Sequence, residues 1–381
     1  MSEYQYYEFQ AIDRPLTEKE MRMLRSYSTR ARITPTSFVN DYSWGSFKGD
    51  EDAWMEKYFD AFLYLANWGT CVLKLRLPTR LLDRKTARLY CVGECATARE
   101  KNGNVVLTFL SEDEEGGDWV EGEGELSSLI SVRAELARGD LRCLYIGWLL
   151  SAQSGDLDDE EIEPPLPAGL GHLSASLEGL VEFLRIDPDL LQIAAQASAP
   201  LEARTRKPAE IRAWLSKLPA AEKDDLLARL IAGVDGALPN ELLQRMTRER
   251  GDGQGADAKP IRRRTVADLL GQAQQATEER RRIEAEKAAK AKARREREAA
   301  MARAKHLDEI AGKESALWNK VGGLIATKQP KSYDQVVELL VDLRDLAARK
   351  DGSDFRLRLE ALRAEHARKP TLIERLRRSC L

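Results

Sequence analysis

The chain has 381 residues, 60 Lys+Arg against 63 Asp+Glu, a formal net charge of −3 and 43% hydrophobic residues. That length can bury two or three cores of ordinary domain size, and no apolar run approaches the about 18 residues that a membrane-spanning helix needs. The small net charge hides a polarity. Residues 1–165 hold 19 Lys+Arg against 30 Asp+Glu, a net of −11, and residues 166–381 hold 41 against 33, a net of +8. Of the 25 aromatics, 20 lie at or before Trp148. An acidic, aromatic-rich front suits a packed mixed α/β core, and an Ala/Leu-rich back suits helices.

In chain order, Tyr4-Gln5-Tyr6-Tyr7-Glu8-Phe9 alternates and predicts a strand. Thr17 and Glu20 fit a capping box that opens a helix through Met21 and Leu24. Asp50 can cap a second helix, with Trp54, Tyr58, Phe59, Phe62 and Leu63 on one face at helical spacing. Cys71, Leu73, Leu75 and Leu77 alternate with Lys74 and Arg76, a half-buried strand that Pro78 ends. Asn102-Gly103 sits between two alternating runs, Cys95–Arg99 and Val105–Leu110, and tolerates the positive φ angles of a tight hairpin turn. Leu126 to Leu150 reads as helix with a break near Gly139-Asp140.

Acidic runs follow. Glu112–Glu125 holds eight carboxylates and no base, and Asp156–Glu163 holds six more before Pro164-Pro165, where a domain boundary is expected. Beyond it the chain reads as helical: one stripe through Leu173, Leu177, Leu180, Val181 and Leu184, a restart at Asp187-Pro188, then stripes through Ile211, Trp214, Leu215 and Leu218 and through Leu226, Leu227, Leu230 and Ile231. Residues 249–261 read as a flexible link. From Arg262 to Ala311 the chain is built mostly from Ala, Glu, Arg and Lys, with no Pro and one Gly. That composition makes a long solvated helix, roughly 75 Å if continuous. Its only large apolar residue between Gly271 and Ala300 is Ile283, so it must support itself with pairs such as Glu278–Arg282 and Glu286–Lys290. Stripes through Trp318, Val321, Leu324 and Ile325, through Tyr333, Val336, Val337, Leu340 and Leu343, and then Phe355, Leu359, Leu362, Leu372, Ile373 and Leu376 predict a small helical bundle.

The expected fold class is therefore α+β: a mixed α/β N-terminal module followed by all-α helical modules and a long charged helix. The expected domains are 1–155 (acidic, aromatic-rich, α/β), 166–248 (helical), 249–261 (flexible linker), 262–311 (long charged helix) and 313–381 (C-terminal bundle).

Nothing in the sequence declares a reaction. His172, His306 and His366 have no partnering Cys or carboxylate pattern, so each reads as a surface or capping residue. Cys91 and Cys95 form one loose pair, Cys71 and Cys143 lie elsewhere, and Cys380 is near the end; a zinc site needs closer pairing, so buried structural thiols are expected and no metal. The odd cysteine count and polar start predict reduced thiols and a cytosolic protein without a signal peptide. Neither nucleotide-binding glycine loop is present, and Gly116-Gly117, Gly122 and Gly124 lie among carboxylates that would repel phosphate. The nucleophile elbow of a serine hydrolase is also missing. The acidic runs match no calcium loop and suit a basic partner, or the chain's own basic half, better than a hard cation.

The basic clusters Arg262-Arg263-Arg264 and Arg280-Arg281-Arg282 are the nucleic-acid-binding candidates, in a stretch, 259–305, with 15 Lys+Arg against 7 acids and no aromatic to stack bases. A solvated spacer helix explains the same residues. Asp13, Asn40 and Asp41 are the polar candidates for an enzyme site in the front module, and equally serve as turn and cap residues.

Two resemblances can be named on their residues. Tyr4 through Leu16, with Arg32-Ile33-Thr34-Pro35-Thr36-Ser37-Phe38-Val39-Asn40, resembles a group of uncharacterised bacterial proteins, which implies no activity. Leu324-Ile325-Ala326-Thr327-Lys328 to Tyr333-Asp334, Leu340 to Ala347, and His366-Ala367-Arg368-Lys369-Pro370 resemble the tail of bacterial SWIM-type zinc-finger proteins. The finger itself needs C-x-C and C-x-H, and the chain has neither, so its zinc site does not transfer. The resulting expectation is a non-catalytic cytosolic scaffold with protein partners, no cofactor and no membrane; the alternatives are nucleic-acid binding by the basic helix and an enzyme site in the N-terminal module.

Overall fold

The computed structural model describes residues 4–113, 122–201, 208–232, 238–250, 263–349 and 353–381. The fold is α+β, and the chain divides into two compact units, Met1–Glu279 and Arg280–Leu381.

The first unit is built on an antiparallel sheet of β1 (Gln5–Gln10), β2 (Arg32–Thr34), β3 (Ser37–Tyr42), β4 (Ala61–Ala66), β5 (Cys71–Pro78), β6 (Ala96–Lys101) and β7 (Asn104–Ser111), in the order β2-β3-β1-β4-β5-β7-β6. The alternating aromatics make β1 central, and the pleat sends Tyr6 to one face and Tyr7 and Phe9 to the other. On the Phe9 face lie α1 (Glu18–Arg25), opened by the Thr17–Glu20 capping box, and α2 (Glu51–Lys57), capped by Asp50. Phe9, Phe38, Trp54, Phe59 and Phe62 form an aromatic cluster there, Phe9 and Phe62 only 4.3 Å apart between ring centroids. Each such ring contributes about 1.5–3 kcal/mol by leaving water.

The expected helix through Phe62 and Leu63 is wrong. Helix α2 stops at Lys57, and Phe62 and Leu63 sit on β4, facing opposite sides of the sheet. The cause is the fully buried Asp60, whose carboxylate accepts from the Ile12 and Asp13 amides at 2.7 and 2.8 Å and so fixes the turn into the sheet.

The opposite face carries α3 (Arg84–Arg88), α4 (Glu125–Leu129), α5 (Ser131–Ala137), α6 (Arg142–Gln153), α7 (Ala175–Phe183) and α8 (Pro188–Gln196). Helix α6 is buried from Arg142 to Ala152, which explains its unbroken apolar run. It follows the expected break, where Gly139 takes φ +90°. The Asn102-Gly103 turn is also as expected, with both residues at positive φ.

The expected boundary near 156–165 lies inside one core. Leu177, Leu180, Leu184 and Leu190 pack in the same cluster as Leu73, Leu107 and Phe109. Arg142 fastens the intervening loop by donating to the carbonyls of Gly169 and His172 at 3.1 and 2.9 Å. Thus the 166–248 module is two things: α7 and α8 belong to the sheet core, while α9 (Pro208–Leu215), α10 (Ala220–Ala232) and α11 (Leu238–Arg250) share a smaller cluster around Trp214, Leu218 and Met246. Gln244 of α11 donates to the carbonyls of Leu81 and Ala137, tying that cluster to the sheet domain. Of the expected linker 249–261, residues 249 and 250 are helical and the rest lie outside the described residues.

Helix α12 (Val266–Ile310) is the long charged helix, four residues shorter at its start than expected because Thr265 and Asp268 cap it there. Its first turns belong to the sheet core through Val266, Leu269 and Ala273. In the second unit its last turns meet α14: Arg303 pairs with Asp342 and Asp345, and Leu307 is buried. That unit also contains α13 (Glu314–Ala326), α14 (Pro330–Ala348), α15 (Ser353–Glu365) and α16 (Pro370–Arg378), packed on the predicted stripes.

Candidate interaction surfaces

The structure separates the six arginines that the sequence puts forward. Arg262 lies outside the described residues, and Arg263 is exposed. Arg264 is committed to the fold. Its Nη2 and Nε donate to Glu163 at 2.7 and 3.0 Å, and its Nη1 donates to the Ile193 carbonyl at 2.9 Å. Tyr145 donates its hydroxyl to the same carboxylate. Burial pulls the Arg264 guanidinium down, and the Glu163 hydrogen bonds outweigh it, so the group is held above its ordinary pKa. Burial, then the Glu163 charge, pushes the Tyr145 phenol far up and keeps it a donor. A bridge between Ile162 and Thr265 runs beside this triad, which therefore clamps the start of α12 to the acidic stretch 156–163.

Arg280, Arg281 and Arg282 lie on the exposed part of α12. Every residue from 278 to 302 is exposed. Arg280 lies 3.5 Å from Glu284, Lys290 2.5 Å from Glu286, Lys292 4.0 Å from Glu296 and Arg294 3.6 Å from Glu298. Such pairs stabilise a solvated helix by about 0.3–0.5 kcal/mol each. They also interleave carboxylates with the cations, so the helix presents no continuous basic stripe.

The enzyme candidates do not converge. Asp13 accepts from Arg133 at 2.7 Å, and Arg133 also donates to the Arg76 carbonyl at 2.7 Å. Arg76 in turn binds Asp60 at 2.6 Å. Asn40 is buried on β3 and donates to Ser28 at 3.1 Å, while its neighbour Asp41 is exposed. In register, Asn40 faces Tyr7 and Asp41 faces Tyr6, well up the strand from Asp13. Asp13 and Asn40 are thus taken up by separate partners, Arg133 and Ser28, and the three candidates are not gathered by shared hydrogen bonds.

Two open depressions stand out. One, of about 730 Å³, is lined by Leu157, Asp158, Asp159, Glu160 and Glu161; the other, of about 330 Å³, by Glu18, Met21, Arg22, Arg25 and Ile33. Neither lining includes a histidine or cysteine. His172 is exposed, His366 is half-buried, and His306 lies 3.0 Å from Asp342 on the second unit. Cys71, Cys91 and Cys143 are buried, and burial pushes the Cys91 thiol up to about 12. Among the described residues no three His, Cys, Asp or Glu side chains gather as metal ligands. Most of the first acidic run, residues 114–121, lies outside the described residues.

What sequence reasoning did not locate is which apolar residues are exposed. Trp44 is 73% exposed with the Arg30 guanidinium 5.6 Å above its ring, and Trp68 and Tyr27 are also exposed. On α10, Leu227, Leu230 and Ile231 of the predicted stripe face solvent, because the small α9–α11 cluster takes only Leu226 from that helix. A surplus of apolar residues over what one helix face can bury was the available signal.

No family model matches the chain, and no curated protein or solved structure matches it either. Among the described residues no helix is long and apolar enough to cross a membrane.

Proposed function

We propose that this chain is a non-catalytic interaction protein that bridges partners in a bacterial cytosolic complex, and the basic second half favours a complex that acts on nucleic acid. The observation that carries this reading is α12. One continuous helix takes root in the core of the first unit, is exposed on every side from 278 to 302, and ends against α14 of the second. A helix that buries nothing over that length contributes little to either core, so its use lies in connecting them. Four of the charged groups in the first unit support the same reading, since Asp60, Arg133, Glu163 and Arg264 are consumed by structural hydrogen bonds. Exposed Trp44, Trp68 and Tyr27 give the first unit a surface of the kind that anchors a protein partner.

The test replaces Ala288 and Ala293 by Gly, each costing the helix about 1 kcal/mol. Partners recovered with the tagged chain are compared with those recovered by the unchanged protein. Weaker co-recovery of partners, with both units still melting normally, supports bridging by a stiff helix. Recovery at equal efficiency refutes it.

A further inference from the structure

One end of the second unit collects positive charge from two stretches that are far apart in sequence. Residues 280–381 carry 26 Lys+Arg against 16 Asp+Glu, a net of +10. Helices α14 and α16 run parallel: Arg375 binds Asp334 at 2.7 Å near their starts, and Arg344 reaches the Ser379 carbonyl at 3.5 Å further along. Their N-termini therefore lie at the same end of the bundle. Lys369 confirms the proximity by donating to the Ile325 carbonyl, at the end of α13, at 3.3 Å. This end carries Lys328, Lys331, His366, Arg368 and Lys369, and neither 327–333 nor 366–373 contains a carboxylate.

Lys328, Lys331 and Arg368 are exposed, and among the described residues none of them pairs with a carboxylate. The nearest acids in sequence are Asp334, which Arg375 neutralises, and the exposed Glu365. Neither α14 nor α16 has a side-chain cap at its N-terminus, so no side chain offsets the two helix dipoles, which add to the same positive field. The contrast with α12 is in the spacing of acids, which interrupt the cations there and are missing here.

We propose that this end of the second unit binds the sugar–phosphate backbone of a nucleic acid without reading its bases. A spread of cations on a surface suits a repeating chain of phosphates. Tyr333, the aromatic of the two stretches, is buried, so base stacking has no platform. The proposal rests on the bridging reading only in giving the second unit its partner.

The experiment is a fluorescence-anisotropy titration of the full chain with a labelled DNA duplex of mixed sequence over a series of salt concentrations. Lys328→Gln, Lys331→Gln and Arg368→Gln together should weaken binding at least about tenfold at low salt and flatten the log–log salt slope by roughly 2.7, about 0.9 per cation removed. Lys328→Arg with Lys331→Arg should bind as the unchanged protein does. Unchanged affinity in the triple Gln variant overturns the proposal. So does a loss caused instead by Arg281→Gln, Lys287→Gln and Arg295→Gln on α12. Equal displacement of the duplex by polyglutamate of matched charge also overturns it, by showing a general acidic-chain site. The Ala288→Gly, Ala293→Gly protein keeps this end intact, so duplex binding and partner bridging fail or survive separately.

Discussion

Replacing Arg264 by Ala distinguishes a structural clamp from a surface cation. The side chain is 16% exposed and its partner Glu163 only 6%, with the closest approach 2.7 Å. Removal takes away two charge-assisted hydrogen bonds and one to the Ile193 carbonyl, and leaves a buried carboxylate with the Tyr145 hydroxyl. Breaking a buried pair in this way costs about 3–5 kcal/mol, and the partial exposure of Arg264 puts the loss near the lower figure. For a unit of this size each kcal/mol moves the melting point by about 2–4 °C, so the first unit should melt about 6–12 °C lower. Calorimetry of the full chain reads this directly, and the transition of the second unit should not move. Arg264→Met combined with Glu163→Leu and Tyr145→Phe should recover most of the loss, because neither a charge nor the Tyr145 hydroxyl is then left stranded. Melting of Arg264→Ala within about 1 °C of the unchanged protein would refute the clamp and return Arg264 to the solvent-facing cations.

Three further outcomes follow from particular contacts. A Cβ on Gly147 would lie 2.3 Å from the Phe109 ring, so Gly147→Val should destabilise the first unit by about 2–3 kcal/mol in denaturant titration; a neutral result would mean that α6 and β7 are not in close contact. A thiol reagent should modify exposed Cys380 first and leave Cys71, Cys91 and Cys143 until the first unit unfolds; prompt labelling of Cys91 would contradict its burial. Arg14, then the Thr17 amide, holds the Glu20 carboxyl down at about 2 from its ordinary 4.5. A depressed acid stabilises the fold above its unfolded value and loses that contribution as pH falls from about 4.5 toward 2. Glu20→Gln should therefore flatten acid unfolding in that window, by about 1 kcal/mol at most because solvent screens the pair; an unaltered acid limb would show the pair to be inert.

Local chemistry was legible in the sequence, and long-range chemistry was not. The Thr17–Glu20 box, the Asn102-Gly103 turn, the break at Gly139 and the stripes of the second unit each depend on residues within a few positions of one another, and all are present. Strand β4 was hidden because Trp54, Tyr58, Phe59 and Phe62 fit a helical face, while the Asp60 carboxylate that turns the chain is bound by amides nearly fifty residues away. The acidic run before Pro164 resembled a domain boundary because the arginine that neutralises Glu163 lies 101 residues further on. The candidate site was hidden in the same way. The triplet Arg262–Arg264 drew notice by its density, yet Arg264 is spent on the fold, whereas 327–331 and 366–370 look unremarkable until α14 and α16 bring them to one end.

The central claim is that residues 278–302 form a helix held by its own charge pairs and by no core. Amide hydrogen exchange of the full chain, read segment by segment along 266–310, tests it most directly. The account predicts intermediate protection from 278 to 302, slower than a coil but far faster than the buried amides of α6, and weakened by salt that screens the pairs. Protection as deep as that of α6, or exchange at the rate of an unstructured chain, would contradict it.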